Sequence, residues 1–204
     1  NLNKLLIRIL LHLQVEFSKE MRRIFLIGYM GSGKTTLGKA FAKAAGLEFI
    51  DLDWYIEERL HKTISKIFAE QGESGFREVE RKLLHEAGDF EDVLIACGGG
   101  TPCFFDNMDY MNQAGDTVFL DVSPEVLFRR LKIAKTKRPL LAGKSDQELM
   151  AFIIGGLEKR LPFYSRARYC LSGERLESRS QIDESVRLLS ALLSGDKQIE
   201  NEIH

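Results

Sequence analysis

The chain has 204 residues, a formal net charge of −1 and 44% hydrophobic residues. That length is enough for one α/β domain with a substantial core. The near-zero charge excludes a general nucleic-acid binder and requires any functional basic groups to be gathered locally. Its three cysteines, Cys97, Cys103 and Cys170, and its four scattered histidines show neither disulfide-framework nor metal-ligand spacing. This points to a reducing cytoplasm, with each cysteine read as a small buried apolar residue.

Residues Asn1 to Glu20 place Leu2, Leu5, Leu6, Ile9, Leu10 and Leu13 at a spacing compatible with one helix face. The stretch is too short and interrupted to cross a bilayer, and no small-residue cleavage site follows it. It reads as an extension ahead of a domain beginning at Met21, with a partner-binding helix as the alternative. Arg23 to Ile27 is a short apolar run that predicts a buried parallel strand, and Thr36 to Ala45 predicts the helix that follows. Between them lies Gly28-Tyr29-Met30-Gly31-Ser32-Gly33-Lys34-Thr35, which fits the phosphate-loop pattern of glycine, four free positions, glycine, lysine and serine or threonine. Glycines let backbone N–H groups converge on phosphate oxygens, and the helix N-terminus adds partial positive charge. Lys34 suits the β- and γ-phosphates and the Thr35 hydroxyl suits Mg²⁺. A glycine turn joining strand to helix is the competing explanation, but every fixed position and both flanks agree with nucleotide binding.

Gly46 closes the first helix, and Leu47 to Asp51 predicts a second strand ending in acid. Helices are expected over Trp54 to Leu60, Thr63 to Glu70 and Gly75 to Ala87, with Asp53 able to cap the first of them. Val93 to Cys97 predicts a third strand running into Gly98-Gly99-Gly100, and Thr117 to Val122 a fourth, followed by Ser123-Pro124-Glu125, a helix start. The basic, irregular stretch over about 133–146 predicts a flexible cover over the site, or an ordinary surface loop. A helix over Gln147 to about Phe163, a strand near Tyr169 to Leu171, an amphipathic helix around Ile182 to Leu193 and a polar tail over 195–204 complete the chain. No repeat or linker divides it.

Alternating strands and helices predict a parallel sheet covered on both faces, with ligands at the carboxyl ends of the strands. Gly28, Asp51 and Gly98 to Gly100 all fall at such ends. Asp51 is favoured as a site carboxylate by its strand-end position, whereas Asp53 fits a site carboxylate and a helix cap about equally. The third strand ends without the acid that many phosphate-loop proteins carry there, leaving Asp51 as the best substitute. The triple glycine fits either a backbone that passes close to a ligand or a tight turn.

Together these segments resemble the shikimate kinase family. The matching elements are Gly28 to Thr35, Asp51-Leu52-Asp53, Gly75 to Glu80, Gly98-Gly99-Gly100, Arg138-Pro139-Leu140-Leu141 and Lys159 to Tyr164, in family order over roughly 22–193. The resemblance implies a three-layer α/β/α P-loop kinase fold with a five-stranded parallel sheet and a mobile lid. It implies transfer of the γ-phosphoryl group of ATP, with Mg²⁺, to the 3-hydroxyl of shikimate in aromatic amino acid biosynthesis. Lys34, Asp53 and Arg138 would be catalytic. Gly31, Ser32, Gly33, Lys34, Thr35, Thr36, Arg130 and Arg138 would bind ATP, and Asp53, Arg77, Gly98, Gly99, Gly100 and Arg160 would bind shikimate. Thr35 and Asp51 would hold the metal. The enzyme is expected to be a cytoplasmic monomer acting on small molecules, without nucleic-acid or membrane partners. The expected domains are an extension over 1–20, one kinase domain over 21–194 and the tail over 195–204. Another small-molecule kinase, such as a gluconate or nucleoside monophosphate kinase, and a non-catalytic nucleotide-binding module are the competing readings.

Overall fold

In a computed structural model, residues 22–134, 141 and 143–195 are described. The proposed leader, most of the proposed lid with Arg138, and the tail beyond residue 195 lie outside the described residues. Strand β1 (Arg23–Ile27) leads through the phosphate loop into helix α1 (Lys34–Ala45), then β2 (Glu48–Asp51), α2 (Leu52–Leu60) and α3 (Ile64–Gly88). Next come β3 (Val93–Ala96), a 3₁₀ turn (Thr101–Cys103), α4 (Asn107–Ala114), β4 (Asp116–Asp121), α5 (Pro124–Ala134), α6 (Asp146–Tyr164), β5 (Tyr169–Ser172) and α7 (Arg179–Ser194).

All strand pairs are parallel and the sheet order is β2-β3-β1-β4-β5, with the phosphate-loop strand at the centre. Side chains alternate across a strand, and β1 shows how that builds two cores. Ile24 and Leu26 pack with Leu37 and Phe41 of α1 and Leu189 of α7. Phe25 and Ile27 face the opposite layer, with Ile56 of α2, Leu84 of α3, Met111 of α4, Leu127 of α5 and Ile153 of α6. The sheet is therefore sandwiched between two helical layers, as the resemblance implies.

Several boundaries depart from the sequence reading. The break expected between the helices over 63–70 and 75–87 is present at Gly72 within α3, where φ of 70° and ψ of −175° are not helical, although the flanking helical segments run closer to it than expected. Thr63 caps the start of α3, accepting from Lys66 N–H. The irregular stretch expected over 133–146 loses its ends to helices: Ile133 and Ala134 finish α5, and Asp146 opens α6 behind a Ser145–Glu148 capping box. The turn over 101–103 and α4, not foreseen, carry the chain from β3 back to β4. Of the cysteines, Cys97 is buried as expected, Cys103 is half-buried and Cys170 is exposed, because β5 is an edge strand of the sheet.

Leu189 is fully buried between α7 and the sheet. Leu189→Ala is expected to lower unfolding free energy by about 2–5 kcal/mol through lost burial and the cavity left behind, measured by equilibrium denaturant unfolding.

Candidate active site

The site is assembled where β1, β2 and β3 end. Leu26 and Asp51 are both in register with Ala96, so Gly28, Asp51 and Gly98 emerge at one level. Gly33 caps α1 with φ of 100°, a conformation open to glycine, and a Cβ there would strike Leu176 Cδ1 at 2.4 Å. The first backbone bond of α1 is Leu37 N–H to the Gly33 carbonyl at 2.9 Å. Helix geometry therefore leaves the N–H groups of Lys34, Thr35 and Thr36 without helical acceptors, at the positive end of the dipole. No acidic residue occupies that first turn. Lys34 Nζ bridges the carbonyl oxygens of Gly28 and Tyr29, each at 2.9 Å.

A cleft of about 580 Å³ runs across this surface, walled by Gly31, Gly33, Lys34, Thr35 and Thr36, by Asp51 and Asp53, by Gly98 and Gly99, and by Arg130. Ser32 is fully buried beneath the loop. At one end, Thr35 Oγ1 donates to Asp51 Oδ2 at 2.9 Å. Asp51 occupies the N-cap position of α2 but makes no side-chain cap bond; Asp53 lies within the first turn and is not the cap. Trp54, 65% exposed and the sole tryptophan in the chain, forms the rim here, with Lys39 Nζ 4.9 Å from its ring centroid. At the other end, Arg130 reaches the carbonyls of Gly31 (3.4 Å) and Ser32 (3.3 Å) and that of Glu174 (3.2 Å), and pairs with Glu177 at 2.6 Å. That bond holds the Glu177 carboxyl below its ordinary range. Arg130 thus ties the phosphate loop to the segment before α7.

The triple glycine joins the third set of groups. A Cβ on Gly98 would stand 2.9 Å from Asp53 Oδ1, one on Gly99 3.3 Å from Arg160 Nη1, and one on Gly100 2.8 Å from Arg77 Nη2. Two arginines and an aspartate lie close against these bare backbones, and side chains on the loop would have to displace them. Arg77 and Arg160 adjoin this loop without forming the cleft wall itself.

Three supporting residues had no role in the sequence reading. Glu80, 1% exposed, pairs with Arg77 Nη1 at 2.8 Å and accepts from Thr101 Oγ1 at 2.6 Å, fixing the arginine from behind. Its i+3 spacing from Arg77 on a helix was a visible cue; Thr101 offered none. Tyr164, fully buried, donates to the Gly99 carbonyl at 2.5 Å. Burial pushes its phenol above the ordinary value against the pull of Arg160, so it stays a neutral donor. Burial likewise raises the Cys97 and Cys103 thiols, which argues against either as a nucleophile.

Thr35 and Asp51 present hard oxygens of the kind Mg²⁺ takes, and among the described residues no cluster of three or more metal-binding side chains exists. This donor set fits an ion that keeps its waters and takes its remaining ligands from substrate phosphates, and not a protein-caged metal.

A central phosphate-loop strand in a parallel sheet, with a lysine, a hydroxyl and a carboxylate at one cleft, defines a P-loop phosphotransferase of the small-molecule kinase type. A family model described as shikimate kinase matches residues 30–190. A shikimate kinase of Phocaeicola vulgatus is 64% identical over 174 residues, covering 85% of this chain and 99% of the relative. The 1.7 Å crystal structure of the shikimate kinase from Bacteroides thetaiotaomicron superposes with a TM-score of 0.84 at 62% identity, covering 86% of this chain and 99% of that one. A shikimate kinase from Acinetobacter baumannii, solved in complex with shikimate, gives a TM-score of 0.74 at 30% identity, covering 89% and 98%. The chain belongs to the shikimate kinase family, and it is an ATP-dependent kinase.

Gly100→Ala should push the Arg77 guanidinium away from the loop. A misplacement of that size is expected to lower kcat/KM for the acceptor by about tenfold to a hundredfold, with ATP KM changed by less than about twofold. Steady-state kinetics in each substrate check this.

Proposed function

We infer that the chain transfers the γ-phosphoryl group of ATP to the 3-hydroxyl of shikimate, giving shikimate 3-phosphate and ADP, a step in aromatic amino acid biosynthesis. The observation that carries the residue assignment is the packing of Asp53, Arg160 and Arg77 against three consecutive glycines at the end of the phosphate-loop cleft. Two guanidinium groups beside a bare backbone suit a planar carboxylate, and Asp53 stands where ring hydroxyls would lie between that carboxylate and the γ-phosphate.

The N–H groups of Gly31, Ser32, Gly33, Lys34, Thr35 and Thr36 surround the phosphates, and Arg130 supports the adenine end. Arg77, Arg160 and the Gly98–Gly100 backbone orient shikimate so that its 3-hydroxyl faces the γ-phosphorus. That oxygen bonds to phosphorus as the bond to the β-phosphate oxygen breaks, ADP departs, and the hydroxyl proton passes to the Asp53 carboxylate. Lys34 moves its ammonium from loop carbonyls to the equatorial oxygens, where a loose transition state gathers charge. Arg138, placed on the lid by its Arg-Pro-Leu-Leu segment, adds a second cation and helps exclude water. Mg²⁺, when bound, supplies charge neutralisation at the β- and γ-oxygens, and Thr35 and Asp51 would hold it.

We place this chemistry in one domain over 21–194 with its lid within 133–146, flanked by the 1–20 extension and the 195–204 tail. The protein would act as a cytoplasmic monomer on small molecules, without nucleic-acid or membrane partners. The net charge of −1 and cysteines without disulfide-framework spacing support that reading.

A coupled assay offering shikimate, gluconate and nucleoside monophosphates side by side should show turnover with shikimate; turnover only with gluconate or a nucleotide would overturn the assignment. Lys34→Met is expected to cut kcat by about a hundredfold to a thousandfold, the scale of a lost electrostatic contact in the transition state. Near-parental turnover in single-turnover measurements would remove Lys34 from its role.

A further inference from the structure

Tyr29 occupies a position that the phosphate-loop pattern leaves free, yet it is 1% exposed. Its ring does not line the nucleotide cleft; it is packed with Ile153 and Tyr164 in the layer that contains α6. Three residues of α6 at successive turns, Phe152, Gly156 and Arg160, receive it. The phenol donates to the Phe152 carbonyl at 3.3 Å. A Cβ on Gly156 would fall 2.4 Å from the Tyr29 hydroxyl and 2.8 Å from Cε2, so this glycine forms the notch that admits the ring. Arg160 Cζ lies 4.9 Å from the ring centroid. A Cβ on Gly99 would stand 3.3 Å from Arg160 Nη1, 3.3 Å from Met30 N and 3.5 Å from the Gly28 carbonyl of the phosphate loop.

An arginine side chain on an exposed helix turn samples many rotamers, and a fixed aromatic face restricts them through the attraction between cation and ring quadrupole. We propose that Tyr29 is a positioning residue for Arg160: its ring, anchored in the Gly156 notch, holds the guanidinium against Gly99 and so ties the phosphate loop to the acceptor-binding side. The proposal rests on Arg160 binding the acceptor carboxylate, as assigned above. Burial raises the Tyr29 phenol above its ordinary value, which keeps the ring neutral while the enzyme works.

The test is steady-state kinetics in shikimate and in ATP for Tyr29→Leu, Tyr29→Phe, Arg160→Ala and the double variant Tyr29→Leu/Arg160→Ala. It includes phenylalanines of increasing ring fluorination incorporated at position 29. Fluorination keeps shape and apolarity but weakens the π face, so it remains informative even if the leucine variant folds poorly. Tyr29→Leu is expected to raise shikimate KM roughly threefold to tenfold, the scale of a partly desolvated cation–π contact, and ATP KM far less. Tyr29→Phe should retain most of the shikimate affinity that leucine loses. Shikimate KM should climb with fluorine number at constant thermal midpoint, and Tyr29→Leu should add nothing once Arg160 is alanine. Equal rises in both KM values, full additivity with Arg160→Ala, or indifference to fluorination would overturn the proposal. If Arg160→Ala itself spares shikimate KM, the acceptor-side assignment fails and takes this proposal with it, a result distinct from failure of Tyr29 alone.

Discussion

Parallel pairing of β2 and β1 with the strand between them is the constraint on which the rest depends. Ala96 has Leu26 on one side and Asp51 on the other, and this shared register brings three chain segments to a common edge. A slip of one residue would exchange the two faces of a strand, sending Ile24 and Leu26 toward α2–α6 and Phe25 and Ile27 toward α1 and α7. The two buried cores thereby enforce the alignment of the catalytic loops. The energy for active-site geometry comes from apolar side chains that never touch a substrate, and the loops themselves need only short connections to reach one another.

The two sides of the cleft solve different electrostatic problems. At the phosphate loop, positive potential comes from backbone N–H groups at the start of α1 that have no helical acceptor, reinforced by Lys34, whose ammonium contacts loop carbonyls. Beside the triple glycine, where we propose that the acceptor binds, it comes from guanidinium groups, which need partners to remain oriented. Arg77 is held by buried Glu80, itself fixed by Thr101, and also meets exposed Glu73 at 3.3 Å. One carboxylate is locked and the other is free to yield to solvent or ligand. Arg160 has an aromatic face where Arg77 has carboxylates, although Arg77 too lies 4.0 Å over the Phe104 ring. The glycine loop allows both cations to approach a third surface without steric obstruction.

Much of this was legible in the sequence because the elements involved obey local rules. The phosphate loop, the alternating strands and the acid at the end of β2 each combine a residue pattern with a flanking period, and β1 matches its expected bounds residue for residue. The family resemblance then gathered Arg77, Arg160 and the triple glycine, which no local rule would connect. Tertiary contacts remained hidden. Asp53 looked equally suited to capping a helix, and only coordinates put it inside the first turn facing Gly98. Tyr164, Thr101 and Tyr29 carried no individual role in the sequence because their partners lie from 21 to 123 positions away in the chain. Helix α4 also escaped, being a short polar-faced helix with too few turns to reveal a period.

The placement of Trp54 has a spectroscopic corollary. The molecule holds a lone indole, stacked beside Lys39 at the lip where Thr35 and Asp51 meet. No other emitter of its kind exists to dilute what it senses. Its emission therefore samples the local field and hydration at the Thr35–Asp51 end of the cleft, and the protein carries its own label for watching that end fill and empty.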